Sequence, residues 1–148
     1  MATLAKNFDI NWKCFHTWQR ASYNTFWCLF GCSIGDFGTI AFFQFTQMQF
    51  PVFGIMTLAI LNGVLTSILL ETLILVRQMA LNLAFKTAIG MSLISMIAME
   101  AAMNITDVVL TGGAILTWWV IPIMLFAGFV TPLPYNYWRL KALGKACH

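Results

Sequence analysis

The chain has 148 residues, of which 60% are hydrophobic and 9% charged, and its net charge is +3. Soluble domains carry about 25% charged residues, so this composition excludes a soluble globular protein. It equally excludes a disordered chain, because too few side chains are polar enough to keep an open chain hydrated. Since one bilayer crossing takes about 20 apolar residues, we expect an integral membrane protein with four or five spans.

Four long apolar stretches predict the membrane-spanning helices, at about 21–45, 52–76, 87–110 and 114–130. Ahead of them, aromatic residues at helical spacing predict a short amphipathic helix on the membrane surface at 8–19. The expected fold class is therefore all-α, an integral membrane four-helix bundle. The whole chain, 1–148, forms a single transmembrane domain in this interpretation.

The basic residues predict the orientation of this bundle. All eight lie before the first span, between the second and third spans, or after the fourth. Four spans place these three regions on one side, and the positive-inside rule identifies that side as the cytoplasm. Both termini are then cytoplasmic, and residues 1–20 lack the apolar core of a cleavable signal peptide. Topology thus explains the positive charge, and we expect no nucleic-acid partner.

Most of the acidic residues are predicted inside the membrane, namely Asp36, Glu71, Glu100 and Asp107. A charge near a helix centre costs roughly 2.5–3.5 kcal/mol, so these groups need partners, protons or ions. Counting about 1.5 Å per residue from the basic flanks places Asp36, Asn62 and Glu100 in one layer, where at least one carboxyl is expected to hold a proton. Asp107 is predicted near the far surface and within reach of water. The count gives no role for Glu71.

One face of the third predicted helix combines carboxyl, amide and thioether groups. On an ideal helix an arc of about 140° contains Met96, Met99, Glu100, Met103, Asn104 and Asp107. This face is explained either by a structural network of hydrogen-bonded, protonated carboxyls or by an ion pathway.

Thiols and imidazoles form a second candidate pattern. Cys28 and Cys32 are one helical turn apart and share a face with Asp36. The others lie towards the predicted cytoplasmic side: Cys14, His16, Cys147 and His148. A reducing cytoplasm disfavours structural disulfides there. Thiolate, imidazole and thioether are ligands that favour Cu(I), although buried cysteines also serve as small apolar residues.

Met99-x-x-x-Met103, the Gly31-x-x-x-Gly35 stripe and the terminal Cys147-His148 resemble parts of the eukaryotic high-affinity copper transporters. Those proteins have three spans and an extracellular N-terminus, so the resemblance concerns ligand chemistry at these positions alone. It implies that the two methionines are thioether ligands in a pore. It also implies that the terminal Cys-His pair accepts copper in the cytoplasm.

A resemblance over most of the chain is carried by the run from Thr25 to Asp36, by Met99-Glu100, by Pro134 to Trp138 and by the terminal Ala-Cys-His148. With these residues the chain is similar to an uncharacterised family of small bacterial four-helix membrane proteins, known only as a domain of unknown function. This resemblance implies the four-helix fold and carries no activity. We therefore expect a multi-pass protein of the bacterial inner membrane.

The leading hypothesis is a small membrane protein that binds or conducts a soft metal ion, above all copper as Cu(I). Its predicted ligands are Cys28, Cys32, Asp36, Met96, Met99, Glu100, Met103, Cys147 and His148, with Asn62, Asn104 and Asp107 completing a polar layer.

The alternative is a non-catalytic accessory or assembly subunit of a larger membrane complex, or a homo-oligomer, and a proton- or cation-coupled carrier is a third reading. We expect no enzyme, since catalytic motifs such as GxSxG and HExxH are missing from the sequence. A b-haem protein is not expected either, because no His lies within a span.

Overall fold

The computed structural model describes residues 12–77 and 79–142. In this part of the chain all regular structure is helical: α1 (Phe15–Thr46), α2 (Val52–Val76), α3 (Leu81–Thr111), α4 (Val120–Val130) and α5 (Leu133–Ala142). Four segments are long and apolar enough to cross a membrane: Phe15–Thr46, Val52–Val76, Ser92–Thr111 and Val120–Lys141. The predicted all-α, multi-pass membrane fold is confirmed.

The distribution of side chains is that of a membrane protein. Large apolar side chains such as Phe45, Phe53 and Val109 are exposed on the outside of the bundle. The interior contains the polar side chains of Asp36 and Glu100, which are both completely buried. Lipid contact accounts for the apolar exterior, because hydrocarbon cannot solvate a polar group and the bundle interior can.

Glycines bring α1 and α2 close together. A Cβ atom added to Gly31 would lie 2.8 Å from the Cα atom of Ser67, and one added to Gly35 would overlap the backbone carbonyl of Asn62. Small residues at such an interface let two helix backbones approach closely. The GxxxG stripe is therefore occupied by α2 of the same chain, and it is not free to bind a partner helix.

The start of α1 differs from the predicted surface helix at 8–19. The helix continues without a break from Phe15 into the membrane span, so residues 15–19 are its first turns. The reason is packing against α5, where Ala21 is buried with Tyr137 and Leu140 and Trp18 contacts this group. Residues 8–11 lie outside the described part of the chain.

The fourth span begins later than the sequence predicts, because residues 114–119 are not helical. Side chains from other helices bind the backbone of this segment. The Ile115 N–H donates to Asp107 Oδ2 at 3.0 Å, and the Leu116 N–H donates to Gln44 Oε1 at 3.1 Å. With these groups satisfied, an irregular segment is tolerated beside the bilayer and the helix starts at Val120.

Two prolines separate α4 from α5. Pro132 and Pro134 have no N–H group, so neither can bond to the carbonyl four residues earlier, at Gly128 and Val130. The helix breaks at residues 131–132 and resumes at Leu133. The fourth crossing is therefore made by α4 and α5 together.

Candidate functional site

The main core cluster of the bundle is rich in sulfur. It consists of nine buried residues: Cys28, Leu29, Cys32, Ile68, Met96, Met99, Met103, Val120 and Met124. Six of these residues carry sulfur, and we call them the sulfur cluster: Cys28, Cys32, Met96, Met99, Met103 and Met124. They come from α1, α3 and α4. The two cysteines are free thiols.

The predicted inward face of α3 is present in the structure. Its six residues are at most 1% exposed: Met96, Met99, Glu100, Met103, Asn104 and Asp107. Their spacing of three or four residues places them on one side of the helix, which faces the other helices of the bundle. Met124 of α4 joins this group and was not predicted, because its position follows only from the packing of α4 against α3.

Glu100 holds the central carboxyl of the bundle. The carboxyl rests on Gly63 of α2, where any Cβ atom would overlap it, so glycine is needed at this position. The Cys32 thiol lies beside it. Neither carboxyl oxygen has a hydrogen-bond partner among the described residues. A buried carboxylate in this state is costly, and a proton or a cation would offset its charge.

Asp36 lies on α1 and is tied to α3. Asn104 donates from Nδ2 to Asp36 Oδ1 at 3.0 Å and also to the backbone oxygen of Glu100 at 3.0 Å. The second oxygen of Asp36 is buried and has no partner in the described part of the chain. Asp36 and Asn104 are thus joined by a hydrogen bond, and the buried Glu100 carboxyl lies within electrostatic range of Asp36.

Asn62 does not belong to this group. Its side chain is exposed, and its Nδ2 donates to Thr39 Oγ1 at 2.8 Å on the outer side of the α1/α2 pair. Gly63, the next residue, takes the inward position against Glu100. The depth of Asn62 was counted from the sequence, but depth does not determine the direction in which a side chain points.

Asp107 also differs from its prediction. It is buried, whereas the sequence placed it within reach of water. Besides the Ile115 N–H, it accepts a hydrogen bond from the Thr111 hydroxyl at 3.3 Å. Its role is therefore to hold the irregular segment after α3, and it is separate from the sulfur cluster.

The remaining predicted thiol and imidazole ligands do not join the cluster. Cys14 is disulfide-bonded, so the expectation that this region contains only reduced thiols is wrong. His16 is exposed on the first turn of α1. Cys147 and His148 lie outside the described residues. Within 12–77 and 79–142, no three His, Cys, Asp or Glu side chains form a group suited to bind a metal ion.

A cavity of about 650 Å³ lies at the end of the bundle that carries the basic residues, and we call it the basic-end cavity. Glu71, Arg139 and Cys28 are among its lining residues. Glu71 interacts with the Ser92 hydroxyl and lies within electrostatic range of Arg139. No partner for Glu71 was predicted from the sequence, and the structure places it on the same cavity as Arg139. The sequence did not predict Arg139 at this cavity, because the fourth span was expected to end at 130. In the structure that span continues to Lys141 and includes Arg139.

Comparison with known proteins gives a family and no activity. No curated protein and no solved structure matches the chain. One protein family, described as a domain of unknown function (DUF4396), matches residues 17–145. The match includes all five helices apart from the first two residues of α1. As its resemblance predicts, the chain belongs to this family of unknown function.

Proposed function

We propose that the protein binds a soft metal ion, above all Cu(I), inside its helix bundle and conducts it across the membrane. The observation that carries this proposal is the sulfur cluster, in which two free thiols and four thioethers are buried together. Thiolate and thioether ligands favour Cu(I) over the harder divalent ions. The proposed ligand set accordingly combines Cys28 and Cys32 with methionines of α3.

The charge of the ion supports a role for Glu100. A monovalent cation in a low-dielectric interior needs a nearby negative charge. The Glu100 carboxyl lies beside the Cys32 thiol and lacks a hydrogen-bond partner in the described part of the chain. It is therefore suited to neutralise an ion held by the uncharged thioethers of α3, while Asp36 and Asn104 provide the next polar groups along the bundle.

The order of the residues suggests a route for the ion. Cys28 belongs to the sulfur cluster and also lines the basic-end cavity. Cys32 lies one turn further along α1, and Met99 and Met103 of α3 belong to the same cluster. An ion that entered from the basic-end cavity would meet Cys28 first, because Cys28 lines that cavity, and the rest of the sulfur cluster afterwards.

Copper binding by purified protein tests the proposal. We would reduce the protein in mild detergent, titrate it with Cu(I) against a chromophoric chelator, and measure the bound metal by elemental analysis. The double variant Cys28→Ser with Cys32→Ser is expected to lose copper binding, because a hydroxyl is a poor ligand for Cu(I). Met99→Leu with Met103→Leu is expected to weaken binding at least tenfold at little cost in packing.

A matched control is available at Met48, which is exposed and lies outside the sulfur cluster. Met48→Leu should bind copper as the wild type does. Circular dichroism and gel filtration establish that each variant is folded. Unchanged copper content in a folded double cysteine variant would refute the proposed site.

A further inference from the structure

We propose that the basic-end cavity binds the headgroup of a phospholipid that carries a phosphate diester and a primary ammonium group, the chemistry of phosphatidylethanolamine. This inference is independent of metal binding. It rests on the position of the cavity, on its unpartnered polar atoms and on the opposite charges of its two partly buried ionisable residues, Glu71 and Arg139.

The position and lining of the cavity suit a ligand that enters from the bilayer. Its volume of about 650 Å³ is within the range of small-molecule sites. Tyr23, Leu73 and Ile74 line it and are also exposed on the outside of the bundle, so its mouth opens on the lipid-facing surface. Trp27 and Leu70 add an apolar wall against which the glycerol and acyl parts of a lipid can pack.

Several residues that line this cavity carry polar atoms without a hydrogen-bond partner among the described residues. Ten buried side-chain atoms in the described part of the chain have no hydrogen-bond partner, and four of them belong to residues that line it. They are Ser95 Oγ, Asn136 Oδ1, Arg139 Nε and Arg139 Nη1. Ser95 and Asn136 are 2% and 4% exposed, so bulk water does not satisfy them. A polar ligand in the cavity would supply the missing bonds.

Three charged side chains line the cavity: Glu71, Arg77 and Arg139. Arg77 is exposed and solvated by water, so Glu71 and Arg139, which are both partly buried, are the charges that select a zwitterion. The guanidinium of Arg139 offers N–H donors in a planar arrangement that suits phosphate oxygens. The carboxyl of Glu71 and the amide oxygen of Asn136 accept hydrogen bonds, and a primary ammonium group donates them. An anionic headgroup would leave Glu71 without a counter-charge. A choline headgroup has no N–H to donate.

Lipid binding to metal-free protein tests this inference, so the result does not depend on the copper proposal. Delipidated protein in detergent would be titrated with short-chain phosphatidylethanolamine, phosphatidylcholine or phosphatidylglycerol, and bound lipid counted by native mass spectrometry. We expect phosphatidylethanolamine to bind at least tenfold more tightly than the other two. Free phosphoethanolamine at millimolar concentration should not displace it, because the apolar wall contributes to affinity.

Variants test the assigned residues. Arg139→Gln should lower the affinity for phosphatidylethanolamine at least tenfold, and Arg139→Lys should retain part of it. Glu71→Gln should remove the preference over phosphatidylcholine and improve binding of phosphatidylglycerol. Lys86→Gln is the matched control, since Lys86 is exposed and does not line the cavity. Circular dichroism establishes that each variant is folded.

Several outcomes would overturn the inference. Equal binding of the three lipids would identify ordinary annular lipid. Tightest binding of phosphatidylglycerol would identify an anionic-lipid site. Displacement by free phosphoethanolamine would identify a soluble zwitterion as the ligand. Each of these results is obtained with the wild-type protein, so none depends on how well a variant folds.

Discussion

Substitution of Gly35 by alanine is expected to destabilise the bundle, whereas the same change at Gly38 is not. A Cβ atom at Gly35 would lie 2.5 Å from the carbonyl carbon of Asn62 and 2.5 Å from Thr66 Oγ1. A Cβ atom at Gly38 would have no neighbour within 4 Å. The two glycines lie three residues apart on the same helix, Gly35 buried and Gly38 exposed, so each variant serves as a control for the other.

The magnitude follows from these contacts. Ordinary van der Waals contact begins at 3.4 Å, so α1 and α2 must separate by about 1 Å at Gly35. The obstacle is backbone and cannot rotate away. Overpacking of this kind costs roughly 1–3 kcal/mol. At Gly38 the helix propensity of alanine is expected to add up to about 1 kcal/mol of stability. The free energies of unfolding of the two variants should therefore differ by about 1–4 kcal/mol.

The assay is reversible unfolding in mixed micelles, where the fraction of sodium dodecyl sulfate is raised and helix content is followed by circular dichroism. Gly35→Ala should unfold at a lower detergent fraction than the wild type, and Gly38→Ala at an equal or higher one. Equal midpoints for the two variants would refute the close packing of α1 on α2.

Three further predictions concern the buried acids and the topology. Glu100→Met should raise the stability of the metal-free protein by about 1–3 kcal/mol, because it removes two unpartnered buried oxygens, and a loss of stability in the same unfolding assay would contradict this. Asp107→Ala should speed amide hydrogen exchange at Ile115 roughly tenfold, since that N–H loses its acceptor, and unchanged exchange would contradict the assigned role. Labelling of introduced cysteines should place residues 1–20, 77–86 and 139–148 in the cytoplasm. Labelling of these residues from the periplasm would overturn the orientation that the basic residues predict.

The sequence by itself determined the class of fold and much of the interior. A bilayer requires long apolar stretches and penalises charge, so composition and hydropathy limit the possible folds strongly. For the same reason the inward face of α3 was predictable: Glu100 and Asn104 cannot face lipid, and helical spacing carries Met96, Met99 and Met103 to the same side. The burial of the Cys28 and Cys32 thiols was predictable as well, because these residues share a helical face with Asp36.

Only the tertiary structure decided where residues distant in the chain meet. The segment 114–119 is apolar enough for a membrane-spanning helix, yet it is not helical. The side chain of Gln44, more than 70 residues earlier in the chain, binds its backbone at Leu116 instead. The depth of Asn62 could be counted, but its outward direction depends on how α2 packs against α1. The basic-end cavity is lined by Glu71 of α2 and Arg139 of α5, which only the packing of these helices brings to one place. Hydropathy describes the composition of one chain segment, whereas these contacts depend on how whole helices are rotated and cross each other.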